Sequence, residues 1–195
     1  MMFFHHIQTM DKNSKNKKLD IKDMAIISLF AALVSVLSAI PVGFNILGVP
    51  ATLQTFIIAF VGYTLGAKKG TFVVFIYILL GAIGLPVFNG FNGGFGVILG
   101  VTGGFIIGFI FLSFLAGCSM QFKNIFIRIG LGILGLLTCH VTGAFAASIY
   151  LDMPLLSASS AVSFPYLPKD ILSVVLGYFA AIAVRKAMVS AKIYS

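Results

Sequence analysis

Six long apolar stretches, separated by short connections, dominate this sequence. They cover approximately residues 24–42, 51–66, 71–88, 97–118, 129–150 and 168–184. A helix needs about 20 mainly apolar residues to cross the hydrocarbon core of a bilayer. The lengths of the stretches therefore predict an all-α, polytopic membrane protein with six transmembrane helices, of which the second is short.

The scarcity of charge supports the same class of protein. Hydrophobic residues make up 59% of the chain and charged residues only 9%. A soluble domain carries roughly a quarter charged residues, because its surface must be hydrated. We therefore expect the lipid bilayer to surround most of this chain, with a transmembrane domain at 24–188, a basic tail at 1–23 and a second tail at 189–195.

The distribution of positive charge indicates an orientation. The net charge of +8 comes from basic residues at the ends of the apolar stretches, and no basic face interleaved with aromatic residues suggests nucleic acid. If the amino terminus is cytosolic, every Lys and Arg except Lys169 lies at a cytosolic end, whereas the connections 43–50, 89–96 and 151–167 contain none. Cytosolic connections carry the excess of Lys and Arg, so both termini are predicted to be cytosolic.

Several functional classes find no support in the residues. The sequence has no Glu, and its two cysteines, Cys118 and Cys139, lie in apolar stretches where they act as small hydrophobic residues. It contains no metal-ligand spacing, no nucleophile elbow and no nucleotide-binding motif. We expect a protein that is not an enzyme and holds no cofactor or metal, so that ATP-driven transport would require other subunits.

A few polar residues lie at the outer ends of the predicted helices. In this topology they converge on one membrane face, where they would line a mouth of hydrogen-bond donors and acceptors: Gln54, Asn89, Asn92, Thr102, Lys169 and Asp170. Asp170 follows Pro168 at a helix start, so it is expected to cap free N–H groups, to contact a ligand, or both. Lys169 either extends to the outer interface or joins the site.

Two further features leave alternatives open. His140 lies in the middle of the fifth stretch, where an ionisable side chain is either functional or a neutral hydrogen-bonding strut between Thr138 and Thr142. The first stretch has small residues one turn apart, which allow close approach of another helix from the same chain or from a partner.

Five segments together resemble the BioY family of biotin transporters. These are Val49-Pro-Ala-Thr-Leu-Gln-Thr-Phe, Gly66-Ala-Lys-Lys-Gly, the run from Leu79 to Phe88, the glycine-rich segment 93–109, and Phe164-Pro-Tyr-Leu-Pro-Lys-Asp. The resemblance extends from the first stretch to the last. It implies a substrate-binding S component of an energy-coupling factor (ECF) transporter, with an S-component-like helix bundle and an outward-facing vitamin site.

The resemblance also implies a ligand, partners and residue roles. Biotin is the expected substrate, with a transmembrane coupling protein and two ATPase subunits as partners. The residues expected to bind the ureido group are Asn89, Asn92, Gln54 and Asp170, and those expected to contact the bicyclic ring are Phe88, Phe91 and Tyr166. The coupling protein is expected to dock on Ala31, Ala32 and Ser35.

One departure from the family pattern concerns a basic residue. Many members carry Lys one turn after the Asp that opens the last helix, where this chain has Ser173. Lys169 is the candidate replacement, although it is adjacent to Asp170 and would point along a different side of the helix. The alternatives are an S component for another small vitamin, a biotin facilitator that acts alone, and, from a different class, a membrane-embedded lipid enzyme or a scaffold in a larger complex.

Overall fold

The computed structural model describes residues 20–43 and 45–191, which are mostly helical. These residues form seven helices and one small β-hairpin, as follows: α1 (Ile21–Ala39), β1 (Asn45–Ile46), β2 (Val49–Pro50), α2 (Gln54–Ala82), α3 (Phe95–Ile98), α4 (Gly103–Ser119), α5 (Ile125–Tyr150), α6 (Leu155–Val162) and α7 (Leu167–Ser190). The two strands pair in antiparallel fashion.

Helix α2 consists of two helical arms that fold back on each other at Gly66. Gly66 has φ 79° and ψ 173°, a conformation that is essentially restricted to glycine. A Cβ atom added at Gly70 would lie 2.9 Å from Cα of Gly62, so the residues on either side of the turn are in close contact. The arms, 54–65 and 67–82, correspond to the second and third predicted stretches.

Four helices are long and apolar enough to cross a membrane, namely α1, α2, α5 and α7, and α4 is a shorter apolar helix of 17 residues. The described residues are thus mostly helical, as predicted, and they include several helices that could span a membrane. The number of helices in the described residues differs from the predicted six, because α2 combines two predicted helices and two short helices, α3 and α6, were not predicted.

The predicted helix boundaries need three corrections. Helix α1 begins at Ile21, three residues before the predicted stretch 24–42, and the Asp20 carboxylate accepts a hydrogen bond from the Ile21 N–H. The stretch 97–118 is not one helix, because residues 99–102 form a turn between α3 and α4. Helix α7 continues to Ser190, past the end of the predicted stretch 168–184. The remaining tail residues, 1–19 and 192–195, lie outside the described residues.

The core lies between α2, α4 and α5, which share the most extensive contacts, and α1 and α7 pack against α2. Helices α4 and α5 approach so closely that a Cβ atom at Gly108 would lie 2.6 Å from Cα of Cys139. Small residues permit such close backbone packing of helices in lipid. This contact brings the side chains around Cys139 next to the first half of α4, which contains Gly108.

The two ends of the bundle differ in character. At the end that contains the Gly66 turn, Lys69 pairs with Asp23 at 2.6 Å, and the buried Arg185 donates to the carbonyl oxygen of Tyr63 at 3.0 Å. Arg128, which is fully buried, donates to the carbonyl oxygen of Phe122 at 2.6 Å at the same end. The opposite end carries the β-hairpin, the 88–92 turn and a cavity.

Candidate functional site

A cavity of about 180 Å³ lies inside the end of the bundle opposite to Gly66. Its walls come from the β-hairpin and the residues that follow it, the 88–92 turn, and helices α2, α4, α5 and α7. The polar residues that line it are Asn45, Thr52, Gln54, Thr55, Asn89, Asn92, Thr102, His140, Tyr166, Lys169 and Asp170. The site therefore draws on segments from across the chain.

The β-hairpin covers one side of the cavity and is held by Tyr166. The Tyr166 hydroxyl donates to the carbonyl oxygen of Val49 at 2.6 Å and accepts from the Ile46 N–H at 3.1 Å. Burial raises the pKa of this hydroxyl, the hydrogen bond from Ile46 lowers it, and the nearby Asp170 charge raises it further. The phenol is therefore neutral at physiological pH and can make both bonds.

Asp170 is the charged centre of the cavity. Its Oδ2 lies 3.3 Å from Nε2 of His140, and its Oδ1 forms an ion pair with Nζ of Lys169. The Lys169 ammonium also donates to the carbonyl oxygen of Thr52 at 2.9 Å. The carboxylate is buried, and its charge is compensated by Lys169, as a charge removed from water requires.

The turn at 88–92 positions two asparagines at the cavity. Phe88 and Asn92 exchange backbone hydrogen bonds, and the N–H of Gly90 donates to the carbonyl oxygen of Ala39 at the end of α1 at 2.9 Å. The Asn92 side chain donates to the carbonyl oxygen of Asn89 at 2.7 Å. This turn is therefore fixed both internally and against α1.

Aromatic and aliphatic side chains form the rest of the wall. Phe88 is buried and packs edge-on against Tyr77, with ring centroids 5.5 Å apart, and Phe105 packs edge-on against His140 at 5.7 Å. The apolar lining is completed by Val97, Ile106, Phe109, Leu136 and Val162. An apolar chamber with a few converging polar groups is the usual form of a small-molecule site.

The polar residues that line the cavity differ in how many of their side-chain atoms form hydrogen bonds to other residues of the protein. The Gln54 amide donates to the Tyr77 hydroxyl at 2.8 Å and accepts from the Thr52 hydroxyl at 3.1 Å. Its NH₂ group and its carbonyl oxygen are therefore both used in hydrogen bonds within the protein. By contrast, Oδ1 of Asn89 and Nδ1 of His140 are buried and have no hydrogen-bond partner among the described residues. These two atoms are the ones for which a ligand would supply the missing bond.

The structure brings together seven of the eight residues proposed from the sequence to bind substrate. Gln54, Asn89, Asn92, Phe88, Tyr166, Lys169 and Asp170 all line the cavity. Phe91 does not: it has φ 58°, and its ring is 64% exposed. Phe105 and Phe109 line the cavity instead.

Sequence reasoning left the role of His140 open between a functional residue and a neutral strut, and it placed neither this residue nor Thr52 at the site. His140 lies 30 positions before Asp170, and nothing in the spacing indicates that the two side chains meet. Thr52 was not singled out, although its carbonyl oxygen binds Lys169. The expected capping role of Asp170 is replaced by its contacts with His140 and Lys169. No group of three or more His, Cys, Asp or Glu residues that could hold a metal ion occurs in residues 20–43 and 45–191.

The residues proposed to contact a partner lie on different sides of α1. Ala31 and Ser35 are buried in the core of this chain, and the Ser35 hydroxyl donates to the carbonyl oxygen of Ala31 at 2.8 Å. Ala32 is exposed on the outer face, together with Ala25 and Ser28.

Comparison with known proteins places the chain among transporters. The family model described as the BioY family matches residues 10–190. The chain is 36% identical to the biotin transporter BioY of Thermotoga maritima over 161 residues, which cover 81% of this chain and 92% of that protein. It is 35% identical to the biotin transporter BioY of Rhodobacter capsulatus, with 80% and 88% covered.

A solved structure agrees in fold. The 2.1 Å crystal structure of the S component for biotin from an ECF-type ABC transporter superposes with a TM-score of 0.75 at 28% sequence identity, covering 86% of this chain and 90% of that one. The relatives are named as transporters, and four helices of this chain are long and apolar enough to cross a membrane, so it is a multi-pass membrane protein of a transport family rather than an enzyme. The match over residues 10–190 and the similarity to these relatives show that the chain belongs to the BioY family.

Proposed function

We propose that this chain captures biotin at the outer face of the membrane as the S component of an ECF-type transporter. The observation that carries this proposal is the cavity beneath the β-hairpin, where Asp170, Lys169, His140 and Asn89 converge inside an apolar chamber. The relatives named biotin transporters and the similar S component for biotin support the choice of ligand.

Biotin has a polar part and an apolar part, which suit the polar and the apolar residues that line the cavity. Its ureido ring offers two N–H donors and one carbonyl acceptor. The acceptors in the cavity that suit the N–H groups are the Asp170 carboxylate, Nδ1 of His140 and Oδ1 of Asn89, and the Lys169 ammonium suits the carbonyl oxygen. Its thioether ring and aliphatic chain are apolar and suit contact with Phe88 and Phe105. Gln54, Asn92 and Tyr166 then shape the site through their internal hydrogen bonds.

Lys169 is assigned to the ureido end of biotin. Its ammonium is bound to the Asp170 carboxylate, whereas the valerate carboxylate of biotin is separated from the ureido group by the thioether ring and a four-carbon chain. If Asp170 binds the ureido N–H groups, Lys169 is therefore too near the ring to reach the valerate carboxylate. Its role is to hold Asp170 charged and to donate to the ureido oxygen.

The membrane topology proposed for this chain has six crossings. The crossings are α1, the two arms of α2, α4, α5 and α7, because the chain reverses at Gly66. Lys68, Lys69, Arg128 and Arg185 all lie near the Gly66 end, and the cavity lies at the other. The excess of basic residues marks the cytosolic side, so both termini are assigned to the cytosol and the cavity to the outer face.

The proposed partners are a transmembrane coupling protein and two ATPase subunits. Because Ala31 and Ser35 are buried in the chain itself, the small residues that remain available on α1 are Ala25, Ser28 and Ala32, which are exposed one turn apart. A face of small residues lets another helix approach closely in lipid. Of the three residues first assigned to docking, Ala32 is thus the one suited to direct contact.

Uptake of labelled biotin tests this function. The chain is expressed in biotin-auxotrophic cells that lack a biotin transporter, alone and together with a coupling protein and two ATPases, and a parallel strain carries ATPases inactivated in their nucleotide-binding lysine. We expect uptake only with the complete, active set. Equal uptake by the chain alone would show a solitary facilitator, and no uptake in any strain despite membrane insertion would contradict biotin transport.

A further inference from the structure

His140 occupies a position in the cavity that its sequence context does not explain. The residue lies on α5, is 6% exposed and lines the cavity next to Asp170. Nε2 of its imidazole ring lies 3.3 Å from Oδ2 of Asp170, and the ring packs edge-on against Phe105. The imidazole is thus held in one orientation by a polar and an aromatic contact.

The contact with Asp170 determines which ring nitrogen carries the proton. An ionised carboxylate can only accept hydrogen bonds, so Nε2 must donate. The charge of Asp170 is already balanced by the ammonium of Lys169. In a neutral ring protonated at Nε2, Nδ1 has no hydrogen and can only accept a hydrogen bond.

Nδ1 receives no hydrogen bond from the part of the chain that the structure describes. This atom is buried. The hydroxyls of the two flanking threonines donate elsewhere: Thr138 to the carbonyl oxygen of Gly135, and Thr142 to those of Thr138 and Cys139. A histidine that acted only as a strut on α5 would have both nitrogens paired, since a buried acceptor without a partner is unfavourable.

We propose that His140 is a specificity-determining residue that accepts an N–H of the bound ligand at Nδ1. The inference deepens the proposed function and rests on it, because the ligand class it specifies is a cyclic urea with two N–H groups. One N–H of the ureido ring is assigned to His140 and the other to Asp170. The pair of acceptors selects against ring systems that lack one of these donors.

Two substitutions separate this role from simple support of Asp170. Asn places an amide oxygen near the position of Nδ1, whereas Gln places its amide near Nε2. If Nδ1 binds the ligand, His140→Asn retains most of the affinity for biotin, and His140→Gln loses roughly tenfold, as expected for one missing hydrogen bond in a buried site. If His140 only positions Asp170, the order of the two variants is reversed.

Changing the ligand tests the same contact from the other side. Biotin methylated at either one of its two ureido nitrogens is titrated into the wild type and both variants. One of the two methylated isomers should bind the wild type far more weakly than biotin, and His140→Gln should lose much of that discrimination. Thr138→Ala, on the same helix but outside the cavity, is the control and should bind all three ligands as the wild type does.

The outcomes distinguish failure of the inference from failure of the proposed function. If the folded wild type binds biotin, and the two variants keep its affinity and its discrimination between the methylated isomers, the role of His140 is refuted while biotin binding stands. If the folded wild type does not bind biotin, the proposed function fails first. Thermal unfolding of each variant in detergent verifies that a loss of affinity is not a loss of fold.

Discussion

The side-chain amide of Gln54 donates a hydrogen bond to the hydroxyl of Tyr77 at 2.8 Å, although 23 positions separate the two residues within α2. In a straight helix, residues so far apart in sequence would lie about 35 Å from each other. The contact therefore depends on the reversal at Gly66. It connects the first arm of α2 (54–65), which begins at the cavity, to the second arm (67–82), which precedes the 88–92 turn.

Replacing Gly66 should weaken this hairpin. Gly66→Ala places a Cβ atom on a backbone with φ 79° and ψ 173°, and we expect it to lower the free energy of unfolding by about 1–3 kcal/mol. Gly130→Ala is the matched control, because this exposed glycine lies within α5 and a Cβ atom there meets no other atom within 4 Å. Thermal unfolding in detergent measures both. Equal effects of the two substitutions would refute the special role of Gly66.

Arg185 should stabilise the end of the first arm of α2. Its guanidinium is buried and donates to the carbonyl oxygen of Tyr63, close to the point where Gly66 ends the regular hydrogen-bonding pattern. Arg185→Met leaves this buried carbonyl without that donor and should cost about 1–3 kcal/mol of unfolding free energy.

Lys186→Met removes the same charge from an exposed neighbour of Arg185 and provides the control. It should change the unfolding free energy by less than about 0.5 kcal/mol, as is usual for surface positions. A comparable loss in both variants would mean that net charge, rather than the hydrogen bond to Tyr63, matters at this end.

The approximate positions of the long helices could be predicted from the sequence, because the thickness of the hydrocarbon core fixes the length of a membrane-crossing helix. The stretches 51–66 and 71–88 anticipated both arms of α2, and the clustering of Asn89, Lys169 and Asp170 anticipated one end of the bundle. The contact of His140 with Asp170 could not be predicted, since it depends on how α5 packs against α7. The orientation of Phe91 depends on a backbone angle that its sequence context does not specify.

Removing the Tyr166 hydroxyl should loosen the β-hairpin over the cavity. Tyr166→Phe keeps the ring but deletes the bonds to the Val49 carbonyl and the Ile46 N–H. We expect faster hydrogen exchange at the Ile46 amide and faster dissociation of biotin. Tyr150→Phe alters a largely exposed tyrosine at the end of α5 and should change neither rate. Unchanged exchange at Ile46 in Tyr166→Phe would contradict this role.

Lys169 should act on the ureido end of the ligand rather than on its carboxylate. Because its ammonium pairs with Asp170, Lys169→Met should weaken the binding of biotin and of biotin methyl ester by the same factor, roughly tenfold or more for loss of a charge partner in a buried site. Calorimetric titration measures both ligands. A loss confined to free biotin would instead place the valerate carboxylate at Lys169.

Titration of the purified chain with biotin tests the central claim most directly. Calorimetry in detergent, with thiamine and riboflavin as controls, should show saturable binding of one biotin per chain and none of the other vitamins. Asp170→Asn, which keeps the shape of the side chain but removes its charge, should weaken binding strongly. No binding of biotin by protein shown to be folded would contradict the assignment of the cavity to this vitamin.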